Sequence, residues 1–252
     1  LGLFYYYGNG VAQDYKQAVS WFRKAADQGF TDAQNNLGRI YKDGDAVTKD
    51  LKRAVSWFLK AAKKGDAEAQ NNLGLMYENG TGVIQDSKQA VNWYRKAADQ
   101  GYDFSQNNLG FMYSEGKGVD QDYKQAVRWY QLAADQSLAI AQNNLGYMYE
   151  EGNGVAQDYK QALSWFRKAA DQGFTDAQNN LGRMYESGTG VSQDYKQALS
   201  WYRLAANQGL AISQSNLGFM YSEGKGVAQD YKQAVSWYQL AAEQGDDFGQ
   251  YN

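Results

Sequence analysis

The chain has 252 residues, 21% of them charged, with a formal net charge of −3 and a pI near 5.1, so it has no general attraction for phosphate backbones or anionic lipid. It contains no cysteine and no histidine, which excludes disulfides, zinc sites built from those residues, thiol nucleophiles and histidine bases. No apolar run approaches the ~20 residues needed to span a bilayer.

Self-similarity dominates what remains. The pair Leu-Gly stands at Leu1-Gly2, Leu37-Gly38, Leu73-Gly74, Leu109-Gly110, Leu145-Gly146, Leu181-Gly182 and Leu217-Gly218, a period of 36 that accounts for all 252 residues. All seven tryptophans share one column of the repeat and all five methionines share another. Repeat arrays bury their core between neighbouring units, so length sets no domain count, and residues 1–252 read as a single repeat domain that starts and ends mid-helix.

In chain order, Asp14 precedes Tyr15 to Ala26, where its carboxylate can accept from the free N–H groups of a first helical turn, and Gln17 completes a capping-box spacing. Ala18, Trp21, Phe22 and Ala25 share one face, with Lys16, Gln17, Ser20, Arg23, Lys24 and Asp27 opposite. This predicts an amphipathic helix of about four turns, stopped by Gly29 and its copies, with Ser137 the one departure. A shorter helix is expected from about Asp32 to Asp43, burying Ala33, Leu37, Ile40 and Tyr41 and ended by Gly44. Gly38 inside it costs ~1 kcal/mol relative to alanine, which points to close approach of a neighbouring helix. The linker Gly80-Thr81-Gly82-Val83 reads as a turn with Val83 tucked inward, and Ala46 replaces its second glycine in repeat 2. One such pair cannot bury its own stripes, so antiparallel pairs stack, predicting an all-α, right-handed α-solenoid superhelix.

Leu-Gly-x-x-Tyr followed by a helix with Ala and a bulky aromatic resembles the tetratricopeptide repeat, which has about 34 residues. Period 36, Ala-x-x-Trp-Tyr/Phe-x-x-Ala-Ala, Ala-Gln-x-Asn-Leu-Gly and Gly-x-Gly-Val-x-x-Asp together resemble the Sel-1-like repeat family over the whole chain. That resemblance implies shorter helices lining a concave surface and a non-catalytic adaptor or scaffold role in protein complexes. It also favours a secreted, periplasmic or extracellular setting. Two departures stand out: Ala12, Thr48, Ile84, Asp120, Ala156, Ser192 and Ala228 occupy a linker column where many members carry proline, and Asn35, Asn71, Asn107, Asn143 and Asn179 one where many carry an aromatic.

Invariant columns hold a solenoid together, which leaves recognition to the variable ones. On the shorter helices these form a solvent-facing stripe: Asp32, Asn35, Arg39 and Lys42; Glu68, Asn71, Leu75 and Glu78; Phe104, Asn107, Phe111 and Ser114; Ile140, Asn143, Tyr147 and Glu150; Asp176, Asn179, Arg183 and Glu186; Ile212, Ser215, Phe219 and Ser222. Two readings are open. In one, the stripe is a groove for a peptide or protein segment, with Phe111, Tyr147 and Phe219 as anchors, Leu75, Phe104, Ile140 and Ile212 beside them, Arg39 and Arg183 as charged islands, and Asn71, Asn107, Asn143 and Asn179 bonding an extended backbone. In the other, the charges solvate a surface, the apolar residues pack on neighbouring turns and the asparagines bond locally. No residue suggests catalysis, a metal or a cofactor: Glu150-Glu151 diverge by ~100° on a helix, and Gly-x-Gly here follows no strand. Nucleic acid and membrane insertion are not expected. Asn79-Gly80-Thr81 is a glycosylation sequon that a Gly-rich turn can carry by chance. A start at Leu1 reads as a mature product or a piece of something longer. Since both ends fall mid-helix, Gln250-Tyr251-Asn252 could abut Leu1-Gly2 of a second copy, which gives head-to-tail self-association as the alternative to the scaffold reading.

Overall fold

Every linker ends in an aspartate, and that aspartate starts a helix. Asp14 Oδ1 accepts from the Gln17 N–H at 3.0 Å, and the bond recurs at Asp50, Asp86, Asp158, Asp194 and Asp230 at 3.0–3.1 Å. The computed structural model describes residues 1–44, 47–246 and 249. Among these the first helices of the repeats are α2 (Tyr15–Asp27), α4 (Leu51–Lys63), α6 (Ser87–Ala98), α8 (Tyr123–Asp135), α10 (Tyr159–Asp171), α12 (Tyr195–Asn207) and α14 (Tyr231–Glu243). The second helices are α1 (Gly2–Tyr7), α3 (Thr31–Asp43), α5 (Ala67–Asn79), α7 (Asp103–Glu115), α9 (Ala139–Glu151), α11 (Thr175–Ser187) and α13 (Ala211–Glu223). No strand occurs among the described residues. Ala46, Gln250, Tyr251 and Asn252, on which expectations about the repeat-2 turn and end-to-end contact rest, lie outside them.

Two local expectations change. The second helix is no shorter than the first, since both α2 and α3 have 13 residues. The apolar stripe understates its buried face, which polar Gln34 and Asn35 also help to form. The capping box is also incomplete: the Asp14 N–H, which a reciprocal Gln17 side chain would need, donates to Tyr5 O at 2.9 Å and fastens the linker instead. Gln13 Nε2 adds a bond to Tyr6 O at 2.9 Å, and Gln85, Gln157 and Gln193 repeat it at 2.8 Å. Ser137, the departure from glycine after the first helix, takes φ +69°, the one non-glycine residue described there.

The chain divides into two compact units, Leu1–Trp129 and Tyr130–Asn252. Within the first, each second helix makes its broadest contact with the first helix of the following repeat, α3 on α4 and α5 on α6; in the second, α9 on α10, α11 on α12 and α13 on α14 do the same. The helical glycine explains this. A Cβ at Gly38 would lie 2.5 Å from the buried Phe58 ring, and one at Gly74 2.6 Å from Tyr94. Gly146 meets Phe166 and Gly182 meets Tyr202 in the same way in the second unit. The close approach is therefore by an aromatic ring of the next helix, across a contact that any side chain would block.

The tryptophans are half-buried interlocks between repeats, except Trp165, which is buried. Trp57 packs on the α2–α3 core, Trp93 on the α4–α5 core and Trp201 on the α10–α11 core. Val47, Val83, Val119 and Val227 tuck from linkers onto the cores, as expected of Val83. A buried glutamine ladder runs beside them. Gln70 Nε2 donates to Ala62 O at 3.0 Å while its Oε1 accepts from Gln100 Nε2 at 2.8 Å. The second unit repeats the side-chain bond between Gln172 and Gln142, Gln208 and Gln178, and Gln244 and Gln214 at 2.8–2.9 Å. Among the described residues no helix is long and apolar enough to cross a membrane.

Candidate functional site

The second helices leave one side open to solvent, and the variable stripe divides on it by depth. Asn71 and Leu75, Asn107 and Phe111, and Asn143 and Tyr147 are each four residues apart, so helix geometry puts each pair within about 40° and the neighbouring helix decides which side chain is covered. Phe104, Ile140 and Ile212 are 50%, 38% and 51% exposed, Tyr147 is 40% exposed, and Arg39 and Arg183 are exposed as well. Leu75, Phe111, Asn179 and Phe219 are half-buried.

Asn71, Asn107 and Asn143 are buried, contrary to the solvent-facing row expected of them. The carbonyls of Asn71 and Asn143 link repeat to repeat. Asn71 Oδ1 accepts from Asn108 Nδ2 at 3.0 Å and from Ser105 Oγ at 2.9 Å. Asn143 Oδ1 accepts from Asn180 Nδ2 at 3.0 Å, and Asn179 Oδ1 from Asn216 Nδ2 at 3.2 Å and Ser213 Oγ at 2.9 Å. Asn107 Nδ2 donates to Asn108 Oδ1 at 3.5 Å. Desolvated amides satisfied by one another stiffen the stack, so Asn71, Asn107 and Asn143 have no open face for a ligand.

The charged islands bond between helices. Arg39 on α3 lies 3.7 Å from Glu68 on α5, an exposed pair that contributes little. Arg183 on α11 grips Glu150 on α9 through Nη2, at 2.7 Å to Oε1 and 2.6 Å to Oε2. Glu150 is buried, so this pair is a structural clamp, and Glu150 and Glu151 form no acid–base couple. Tyr147 OH donates to Asn180 Oδ1 at 2.9 Å with its ring edge-on to Phe166 at 5.2 Å, and burial raises its phenol above the ordinary range.

In the first unit the stripe gathers Leu75 and Phe111 on one core edge, with Phe104 beside Tyr102 at 5.9 Å. The second unit leaves Ile140, Ile212 and Phe219 on separate turns of α9 and α13. Two lysines that the sequence reading passed over belong to the face: Lys117 Nζ sits 4.6 Å above the Phe111 ring and Lys225 Nζ 4.4 Å above Phe219. The signal was present, because the linker column holds lysine only in the two repeats whose stripe carries Phe111 or Phe219. Asn79 is exposed and donates to Leu75 O at 3.0 Å. No cluster of acidic side chains among the described residues could hold a metal ion.

Comparison with known proteins agrees with this architecture. The Sel1 repeat model matches residues 1–30, 31–66, 67–102, 103–138, 139–174, 175–210 and 211–246. The crystal structure of c5321, a protective antigen of uropathogenic Escherichia coli displaying an SLR fold, is 43% identical with a TM-score of 0.89. The match covers 100% of this chain and 54% of that one, so the chain spans about half of c5321's length. A Sel1 repeat protein from Oxalobacter formigenes is 37% identical, TM-score 0.84, over 99% of this chain and 72% of that one. An immunity protein, Pa5087 of Pseudomonas aeruginosa, shares the fold alone at 24% identity and TM-score 0.56, over 87% of this chain and 83% of its own. No curated protein matches. With its repeats matched in succession from residue 1 to 246, the chain belongs to the Sel1 repeat family.

Proposed function

We propose that this chain is a non-catalytic scaffold that binds peptide or protein segments on the open face of its second helices. Sel1 repeat proteins generally act as protein-interaction scaffolds and are generally non-catalytic. One observation supports the face: apolar Phe104, Ile140 and Ile212 stand half in solvent in the column that holds Asp32 and Asp176 in other repeats. A column that alternates between exposed carboxylate and exposed hydrocarbon bears no packing duty, and exposed apolar area seeks a partner. Half-buried Phe111 and Phe219 supply anchors, each under a lysine that can swing aside, and Arg39 adds a charged contact at the rim.

The test is selection of binders from a displayed library of extended ten-residue peptides, followed by titration. Phe111→Ser and Phe219→Ser should abolish binding while the far-UV circular dichroism stays unchanged. Equal affinity of the variant for the selected peptides would sink the reading. A second reading, end-to-end association of copies, draws on a cleft of about 390 Å³ beside α1, lined in part by Leu1, Leu3, Phe4 and Phe30, all exposed. Mass that rises with concentration in sedimentation, and falls to monomer in Phe4→Glu, is its expected signature.

A further inference from the structure

Seven copies of one unit make the chain its own control, and repeat 2 is more basic than the others at four positions, although Leu59 stands where Arg23, Arg95, Arg167 and Arg203 do and Asp66 where most copies are apolar. Lys49 stands where the remaining copies have Gln, Arg53 where they have Gln, Lys63 where they have Asp, Asn or Glu, and Lys64 where they have Gln. One of these changes disrupts the structure. Lys64 replaces the residue that would donate to Gln34, and Gln34 Oε1 is left buried without a partner, while Lys64 Nζ donates to Gly29 O at 2.8 Å. A buried acceptor left unsatisfied is destabilising, so the lysine costs the fold stability.

The resulting set is concentrated on one helix and its flanks. Lys49, Lys52, Arg53, Lys60, Lys63 and Lys64 are all exposed, and among the described residues they make one ion pair, Arg53 Nε to Asp50 Oδ2 at 3.2 Å. Around them the surface is concave and floored by aromatic rings. Arg53 lies 5.6 Å above the Tyr41 ring, Arg23 Nη2 donates to Tyr41 OH at 2.8 Å, and Lys60 Nζ sits 3.8 Å above Trp57. Two adjoining clefts of about 390 and 430 Å³ share Arg23, Tyr41 and Arg53, and Ser56 adds a hydroxyl to the first.

We propose that this outer face of the first unit, centred on α4, docks an acidic segment of a partner protein, independently of the second-helix face. α4 is 13 residues, about 20 Å long at ~1.5 Å per residue, which an extended segment of about six residues spans. Guanidinium pairs match carboxylates in bidentate geometry, and the aromatic floor lowers the local dielectric under them. An anionic membrane is disfavoured because such a surface helix exposes large apolar side chains, whereas Leu51, Trp57 and Leu59 are all partly buried. Nucleic acid is disfavoured by the net charge of −3.

The probe is a fluorescein-labelled ten-residue peptide of alternating Glu and Ser, followed by anisotropy. Wild type should bind it at about 50 mM NaCl and weaken severalfold at about 300 mM. The variant Lys49→Gln/Arg53→Gln/Lys63→Asp/Lys64→Gln restores residues that other copies carry, so it folds, and it should lose about tenfold or more in affinity. Phe104→Ser/Phe111→Ser should bind the peptide as wild type does, which separates this surface from the second-helix face. The proposal is overturned if wild type fails to bind, if the fourfold variant binds equally, or if phosphatidylglycerol vesicles or a 20-nucleotide oligo-dT bind more tightly than the peptide.

Discussion

Lys64→Gln should stabilise the protein, although it removes an existing hydrogen bond. The substituted side chain has a template in Gln208, whose Nε2 donates to Gln178 Oε1 at 2.8 Å and to Gly173 O at 3.3 Å. Glutamine at position 64 can therefore keep the contact to Gly29 O and also satisfy Gln34 Oε1, which is now buried and unpartnered. An unsatisfied buried acceptor costs about 1–3 kcal/mol and a neutral hydrogen bond contributes about 0.5–1.5 kcal/mol, so the net gain expected is about 1–2 kcal/mol. Removing a charge beside Lys63 acts in the same direction. Urea unfolding followed by circular dichroism reads the gain as a higher midpoint at constant slope. In a Gln34→Leu background the benefit should vanish, because the acceptor is gone. A midpoint that stays put or falls in the single variant would refute the claim that Lys64 leaves the glutamine ladder broken.

Gly74→Ala sets helix propensity against packing. Propensity favours alanine by ~1 kcal/mol, but the new Cβ would sit 2.6 Å from the fully buried Tyr94 ring, and overpacking costs about 1–3 kcal/mol. Net destabilisation is expected in urea, and the sign should reverse in a Tyr94→Ala background. Tyr94 also gives a pH prediction. Burial first, then the hydrogen bond its OH donates to Glu78 Oε2 at 2.5 Å, raises its phenol well above the ordinary tyrosine range. A folded-state pKa raised above the unfolded one contributes stability that is complete below about pH 10 and is lost as pH rises beyond it. Tyr94→Phe should therefore lose less stability than wild type between about pH 10 and 11.5 in thermal melts.

Much of this was readable from residue columns. The aspartate caps, the glycine stops, the inward valines and the seven-fold helix pairing all follow from local chemistry repeated in register, because caps and turns are decided within a few residues. Membership of one face was harder. Asn107 and Phe111, like Asn143 and Tyr147, are four residues apart and differ by only about 40° around the helix, yet the asparagines are buried against the neighbouring repeat while Phe111 is half-buried and Tyr147 reaches solvent, a division that only the position of the next helix resolves. The lysines over Phe111 and Phe219 were visible as paired changes between copies, and so was the basic departure of repeat 2.

By itself the sequence determined that the chain is a helical repeat array, where each helix starts and stops, and which columns can vary. Those outcomes depend on bonds closed within a single turn or linker. Only the tertiary structure decided that the asparagine and glutamine columns are mutual hydrogen-bond ladders, that the helical glycine seats a ring from the next repeat, and that Arg23 and Arg53 converge on Tyr41. Each of these joins residues roughly one third to one full repeat apart, and the distance between such residues is set by how helices pack against one another.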